Sequence, residues 1–295
     1  MQSTAPTTLT IDRLGAQGDG VADTPVGPVF VAYALPGETV TATVEGDRGR
    51  LVEVTRASPE RVAPVCRHFT ACGGCVAQHL APPAYAAWKA AQVEAAFRGR
   101  GLDVVLAPLL SVGLGARRRV TLAAERTDDG RDVRLGFHAA GTHDIVDLAE
   151  CPVAAPRIVS ALPGLRRLVE PLLPRREAVR VAVTACDNGL DVDVGGVSRE
   201  LKADLRAQLA AEAGAVGLVR LSVGGDPVVA MAQPRVACAG IDVTPGAGAF
   251  LQAAASAEAA MAELILAALP KKAKRVADLF CGLGAFSFAL ARRVA

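Results

Sequence analysis

Short alternating runs of apolar and polar residues fill the first sixty positions. Thr39-Val40-Thr41-Ala42-Thr43-Val44 puts its apolar members on one face, as a half-buried strand requires, and Leu51-Val52-Glu53-Val54 supplies another strand. Gly18-Asp19-Gly20 and Ala34-Leu35-Pro36-Gly37-Glu38 punctuate the stretch with turns. Several short strands in so brief a segment predict a small β-barrel of the OB type over residues 1–60. The period then lengthens. After Pro82-Pro83, Ala86, Ala90, Val93 and Phe97 share a helical face, closed by Gly99 and Gly101.

Between residues 105 and 245 the two periods alternate. Extended character falls at 118–122, 133–137, 142–147, 179–183 and 190–194, with helical stretches near 155–169 and 199–213 between them. An α+β module over residues 61–245 follows from that order. From Gly246 onward, Ala257, Met261, Leu264 and Ala268 form a helical stripe ended by Pro270. A basic link, Lys271-Lys272-Ala273-Lys274-Arg275, leads to an expected strand at 276–280, the glycine turn Cys281-Gly282-Leu283-Gly284, and an apolar helix at 285–290. Strand, glycine turn and helix make the first half of a βαβ unit, whose apolar faces need further parallel strands. The expectation is therefore of a mixed fold: a barrel, a central α+β domain, and at 246–295 the first βα unit of a Rossmann-like α/β domain, a fragment of a longer chain in preference to a unit that borrows cover from elsewhere.

Composition narrows the class. The chain has 295 residues, 51% hydrophobic and 21% charged, enough apolar material for sizeable cores and too much for a disordered chain. No uncharged apolar run approaches the ~18–20 residues of a membrane span, and the start carries neither a basic n-region nor an apolar core. The expectation is a cytoplasmic protein with no membrane partner. A net charge of +2 provides no global reason to expect a nucleic-acid partner, so that reading rests on local features.

Seven cysteines make an odd count, which argues for reduced thiols and against a disulfide framework. Three of them crowd into Cys66-Arg67-His68-Phe69-Thr70-Ala71-Cys72-Gly73-Gly74-Cys75, and free thiols seldom cluster this way without a metal or redox purpose. Cys151, flanked by Glu150 and Pro152, is the best fourth candidate. Four thiolates suit an iron–sulfur cluster or structural zinc, while His79, and more weakly His68, keep a Cys3His zinc site open. Cys186 and Cys238 are expected to be buried small hydrophobes. His138 and His143 are expected to be strand or turn residues.

The turn at 278–284 is a candidate cofactor site. Glycines let the backbone approach a ligand closely, and the following helix offers its N-terminal N–H groups. Nucleotide-like cofactors bind at such strand ends. The segment lacks the third glycine of the dinucleotide fingerprint and is no Walker loop, so an ordinary βα turn would look the same. Cys281 is expected to pack beneath this turn and not to act as a nucleophile. The arginines at 117–119 and the basic run at 271–275 are candidate phosphate contacts, or else solvated faces.

Taken in order, these pieces resemble the RNA uracil-C5 methyltransferases that carry an N-terminal TRAM domain and a [4Fe-4S] cluster, closest to the subgroup acting on 23S ribosomal RNA. The segments 15–22 and 34–38 resemble TRAM signatures. Cys66 through Cys75, continuing to Gln78-His79, resembles the family's cluster loop, and Glu150-Cys151-Pro152 its distant fourth ligand. Phe250-Leu251-Gln252 resembles the start of the methyltransferase domain, and Asp278-Leu279-Phe280-Cys281-Gly282-Leu283-Gly284 its first cofactor motif. The resemblance covers nearly the whole chain. It implies a cluster on Cys66, Cys72, Cys75 and Cys151, S-adenosylmethionine held by Gln252, Phe280, Gly282 and Gly284, and an RNA partner, ribosomal in preference to transfer RNA, bound by a monomer.

Ala254 departs from the family's usual Asn, and Ala285 from a polar contact found in some members. In the family a cysteine thiolate adds to C6 of uracil, C5 attacks the methyl sulfonium and releases S-adenosylhomocysteine, and a base removes the C5 proton so that the thiolate is expelled from C6. The target base must leave its stack to be reached. No residue of 1–295 maps onto the family's acidic ribose contact, nucleophile or base, so the expectation is an inactive portion of such an enzyme. A non-catalytic iron–sulfur RNA-binding protein is the alternative. A radical methylthiotransferase fits poorly, because its cysteines are spaced by three and two residues, whereas the first gap here is five.

Overall fold

The fold, a computed structural model, is mixed α/β with several sheets. The structure describes residues 5–127, 129–175, 177–198 and 200–294, and the chain divides into two compact units, 1–109 and 110–295. Each unit has its own apolar core.

In the first unit, β1 (Thr7–Thr10), β2 (Arg13–Leu14), β3 (Gly20–Thr24), β4 (Gly27–Val31), β5 (Thr39–Glu45) and β6 (Arg48–Arg56) form one sheet in the order β1-β5-β6-β4-β3-β2. All its pairings are antiparallel except β4 with β6. The alternation in β5 works as expected: Val40 and Ala42 are buried and pack with Leu9, Ile11, Ala22, Val29, Val31 and Ala34. Helix α1 (Pro82–Arg98) opens on its two prolines, whose missing N–H groups cost nothing in a first turn. Its expected apolar face is not buried within this unit. Val93 and Phe97 are exposed, and none of the helix's residues is fully buried. What ties the helix to the sheet is Trp88, whose Nε1 donates to the Gly15 carbonyl at 3.1 Å.

The second unit is built on a seven-stranded sheet. Its strands are β7 (Arg119–Arg126), β8 (Val133–His138), β9 (Ile145–Asp147), β10 (Val179–Cys186), β11 (Gly189–Gly195), β12 (Leu218–Val223) and β13 (Asp226–Ala230). They run in the order β13-β12-β11-β10-β7-β8-β9. Helices α2 (Pro156–Val169) and α3 (Ala203–Val216) supply Ile158, Leu165, Leu168 and Leu209, which pack on Leu122, Val181, Val183, Val192 and Leu221 of the sheet. The hairpin β14 (Val236–Cys238) and β15 (Ile241–Val243) follows, then helix α4 (Ala255–Ala268) and helix α5 (Ser287–Val294).

Two expectations about the last fifty residues need correction. The run at 276–280 does not form a strand. A largely apolar run becomes a strand only when a neighbour accepts its ladder bonds, and none of the described strands pairs with it. The Rossmann-like βα unit is therefore present only as its turn and its helix. The stripe on α4 is likewise not a core face: Leu264 is exposed, and the helix's one buried residue, among those described, is Glu258.

Candidate cofactor turn and cysteine loop

The segment 278–288 is a tight backbone knot. Phe280, Gly282 and Gly284 all have positive φ, at 59°, 56° and 83°. For Phe that region is strained, and such strain persists where the surroundings over-determine it, often at ligand sites. Gly284 has a second reason to be glycine: a Cβ there would lie 2.8 Å from the Phe288 ring. The Gly284 N–H donates to the Cys281 carbonyl at 2.9 Å, and the Phe288 N–H to the Gly284 carbonyl at 3.0 Å. Across the knot, the Ser287 hydroxyl donates to the Asp278 carboxylate at 2.6 Å, joining the segment before the turn to the first residue of α5. Phe280 projects fully into solvent. Cys281 is also exposed, which corrects the expectation that it packs beneath the turn. The reason is that α5 begins at Ser287, so Cys281 precedes the helix by more than a turn and nothing packs over it in the described chain.

Gln252, the other expected cofactor contact, lies just ahead of α4. Its neighbours Leu251 and Ala254 are buried, Leu251 in a small cluster with Cys186 and Val236, while Gln252 itself is half-buried. Arg118 holds the strip in place. Its main-chain N–H donates to the Ala253 carbonyl at 2.7 Å, its Nε to the Gln252 carbonyl at 3.0 Å, and its Nη2 to Glu258 Oε2 at 2.7 Å. Arg118 is thus consumed inside the fold, a correction to its expected role as a phosphate contact. Arg119 differs: its guanidinium lies 5.9 Å from the Phe250 ring centroid, at cation–π range, and Phe250 is exposed. Arg117 and the lysines and arginine of 271–275 are exposed.

The sequence reading missed Glu258. Glu258, like Glu263 in the same helical run 255–268, looks like a residue on a solvated face, and only the fold shows that it faces Arg118. Cys238 lies in the same buried environment. Burial, and then the Glu258 charge, push its thiol pKa up. Burial also pushes Cys186 up to about 12. Both behave as the inert small hydrophobes expected of them.

The cysteine loop belongs to the first unit. Cys66, Cys72 and Cys75 are half-buried, and the loop is wound by its own bonds: the Phe69 N–H to the Cys66 carbonyl at 3.1 Å and the Cys72 N–H to the His68 carbonyl at 2.8 Å. An aromatic cluster anchors it, with Tyr33 and Phe69 rings edge to face at 5.2 Å and the Tyr33 hydroxyl donating to the Thr70 carbonyl at 3.2 Å. His79 is buried against both rings, and its two nitrogens have no hydrogen-bond partner among the described residues. Burial is the main reason its pKa falls to about 4. Cys151 belongs to the second unit and packs against that unit's core.

Among the described residues, no three His, Cys, Asp or Glu side chains come together to hold a metal ion. The structure thus gives no support to the expected four-thiolate site or to its Cys3His alternative. Thiols have no attraction for one another, and thiolates repel, so convergence of such a set is normally supplied by the metal they bind. His138 and His143 occupy a strand end and a turn, as expected, with His138 Nδ1 2.9 Å from the His143 carbonyl. No described helix is long and apolar enough to cross a membrane.

No family model matches the chain. Curated relatives match it nearly end to end. It is 45% identical over 288 residues to an uncharacterized RNA methyltransferase of Caulobacter vibrioides, covering 96% of this chain and 69% of that one. It is 33% identical over 306 residues to the 23S rRNA (uracil(1939)-C(5))-methyltransferase RlmD of Alkalilimnicola ehrlichii, covering 98% and 68%. Among solved structures, the tRNA (uracil-54, C5)-methyltransferase of Pyrococcus abyssi in complex with S-adenosyl-L-homocysteine shares the fold. Its TM-score is 0.73 at 20% identity, over 97% of this chain and 70% of that one. The chain belongs to the RNA methyltransferase family that includes these 23S rRNA uracil-C5 enzymes. The matches span almost all of this chain and about two thirds of each relative.

Proposed function

We propose that this protein methylates C5 of uracil in RNA, with S-adenosylmethionine as methyl donor and 23S ribosomal RNA as the favoured substrate. One observation carries the cofactor reading: a fully exposed Phe280 held at positive φ beside Gly282 and Gly284, in a turn that runs into the N-terminus of α5. A strained aromatic next to open backbone is poorly explained by packing, and well explained by a ligand that uses the ring and the N–H groups. Gln252 is the proposed polar contact to the same cofactor.

When bound, S-adenosylmethionine supplies an electrophilic methyl group. The residues of this chain bind and orient it; none of them is assigned as nucleophile or base. The N-terminal sheet is read as a TRAM-like module over 1–60, the centre at 61–245 as the part that grips RNA by shape and backbone contacts, and 246–295 as the cofactor-binding part. Arg119, Arg117 and the run 271–275 are proposed phosphate contacts. A [4Fe-4S] cluster on Cys66, Cys72, Cys75 and Cys151 stays within this reading on the chemistry of its donor set alone, and no step is routed through it.

The test is transfer of tritiated methyl from S-adenosylmethionine to transcripts of 23S rRNA and of tRNA, followed by nucleoside analysis. Label in 5-methyluridine of the ribosomal transcript is expected. Label only in tRNA would overturn the substrate preference, and failure to bind either S-adenosylhomocysteine or RNA would overturn the function. Iron and sulfide in an anaerobic preparation, lost together in the Cys72→Ser and Cys151→Ser variants, are the expected signs of the cluster.

A further inference from the structure

We infer that the buried Arg118–Glu258 pair is a positioning device for Gln252, and through it a determinant of affinity for S-adenosylmethionine. The inference rests on the reading that Gln252 contacts the cofactor. Four bonds converge on Arg118 from three parts of the unit. Its main chain bridges the Ala253 carbonyl and the Ala185 N–H, both at 2.7 Å, which joins the 252–253 strip to strand β10. Its side chain reaches back to the Gln252 carbonyl through Nε and on to Glu258 through Nη2. One residue thereby fixes two successive carbonyls of the strip that carries Gln252. The Glu258 N–H, in turn, donates to the Ala254 carbonyl at 3.1 Å, so the carboxylate that aims the guanidinium grows out of the same strip it helps to hold.

Energetics favour a role in geometry over one in stability. Arg118 and Glu258 side chains are only 10% and 7% exposed, and taking both charges out of water cancels much of their attraction. An apolar pair of similar volume would hold α4 against β7 about as well. What it could not do is aim a planar fork of donors at the Gln252 carbonyl and the carboxylate together, and neither could a lysine. The flanking residues show that the strip needs such a guide. Leu251 and Ala254 are anchored by burial, but Phe250 is exposed and Gln252 only half-buried, so burial alone leaves the polar residue's direction open.

The test measures S-adenosylhomocysteine binding by calorimetry on the 295-residue chain and on Gln252→Ala, Arg118→Lys, Glu258→Gln and the double variant Arg118→Met/Glu258→Leu. Thermal unfolding and RNA affinity are followed in parallel. The double variant separates the two roles, because it restores packing but not the fork. Arg118→Lys and the double variant are expected to lose at least tenfold in S-adenosylhomocysteine affinity, as Gln252→Ala does, while the double variant unfolds at the wild-type temperature and RNA affinity is unchanged. Glu258→Gln, which keeps an acceptor, is expected to lose less than Arg118→Lys. If Gln252→Ala loses affinity while Arg118→Lys and the double variant bind like wild type, the positioning role is wrong. Should Gln252→Ala itself bind normally, or the wild-type chain not bind, the cofactor reading of Gln252 fails and the inference falls with it.

Discussion

Arg118 Nη2 and Glu258 Oε2 meet at 2.7 Å inside the second unit, two charges from positions 140 residues apart. Glu258 is the buried residue of an otherwise half-exposed helix, so α4 is held to β7 through a charge and not through an apolar face. Removing one partner leaves the other buried without compensation. Glu258→Ala is expected to cost about 3–5 kcal/mol of unfolding free energy, and Arg118→Met/Glu258→Leu far less. Denaturant titration of the single and double variants checks this; equal losses in both would refute it.

A second buried carboxylate organises the first unit. Glu38 is fully buried and accepts from Arg61 Nε at 2.6 Å and Nη2 at 2.8 Å, and from the Leu35 and Ser58 N–H groups. Burial alone would raise its pKa, but the Arg61 and backbone bonds outweigh that and hold it below its ordinary value. A carboxylate with a depressed folded pKa contributes stability that is complete above its unfolded pKa and is lost as pH falls through the folded one. The stability gap between wild type and Glu38→Gln is therefore expected to be wide at pH 7 and to close below pH 4.5. A gap that persists at pH 2 would contradict this.

His79 carries the opposite group with the same sign of dependence. Its folded pKa is about 4 against 6.5 in the unfolded chain, so as pH falls from 6.5 towards 4 the unfolded state takes up a proton the native state refuses. Stability is lost across that window, by about 1–3 kcal/mol. His79→Gln is expected to flatten this part of the stability–pH profile. NMR titration of the His79 ring should show a midpoint well below the ordinary range, and a midpoint near 6.5 would be the contrary result.

At the cofactor turn, Phe280→Gly removes both the strain of a positive φ and the exposed ring. Relief of that strain is expected to raise stability by about 1 kcal/mol while S-adenosylhomocysteine affinity falls. Gly284→Ala should reduce both, because its Cβ meets the Phe288 ring. Calorimetry and thermal unfolding on the two variants distinguish a ligand role for Phe280 from a packing role, which would lower both quantities.

Cysteine labelling checks the thiol assignments. Cys281, exposed, is expected to react with a maleimide within minutes in the native state, while Cys186 and Cys238 react only after unfolding. Native-state labelling of Cys186 would show that its burial is wrong.

Periodicity was a sound guide wherever the stabilising contact was local or repeated. Strands such as β5, β10 and β11, and helix α2, lie close to where the alternation placed them, because each buries a regular face against a neighbouring element. The cofactor turn was legible too, since glycines at 282 and 284 announce positive φ whatever surrounds them. The strand expected at 276–280 was not decided by its own residues. A strand exists only as part of a ladder, and the apolar run 276–280 is compatible with several structures until a partner strand is present.

Charge pairing was the least legible feature. The arginines at 117–119 read as one basic patch, yet Arg118, just ahead of β7, is buried in a carboxylate's grip while Arg119, the first residue of β7, sits by the Phe250 ring. Glu258, among alanines and leucines, gave no local sign of its burial. The sequence by itself determined the family, the alternation that makes two cores, and the glycines that permit the knot at 280–284. Only the tertiary structure decided that Arg118 meets Glu258 and that three clustered cysteines are wound by their own backbone. The first depends on which distant groups share a low-dielectric space, and the second on backbone geometry that residue types alone do not specify.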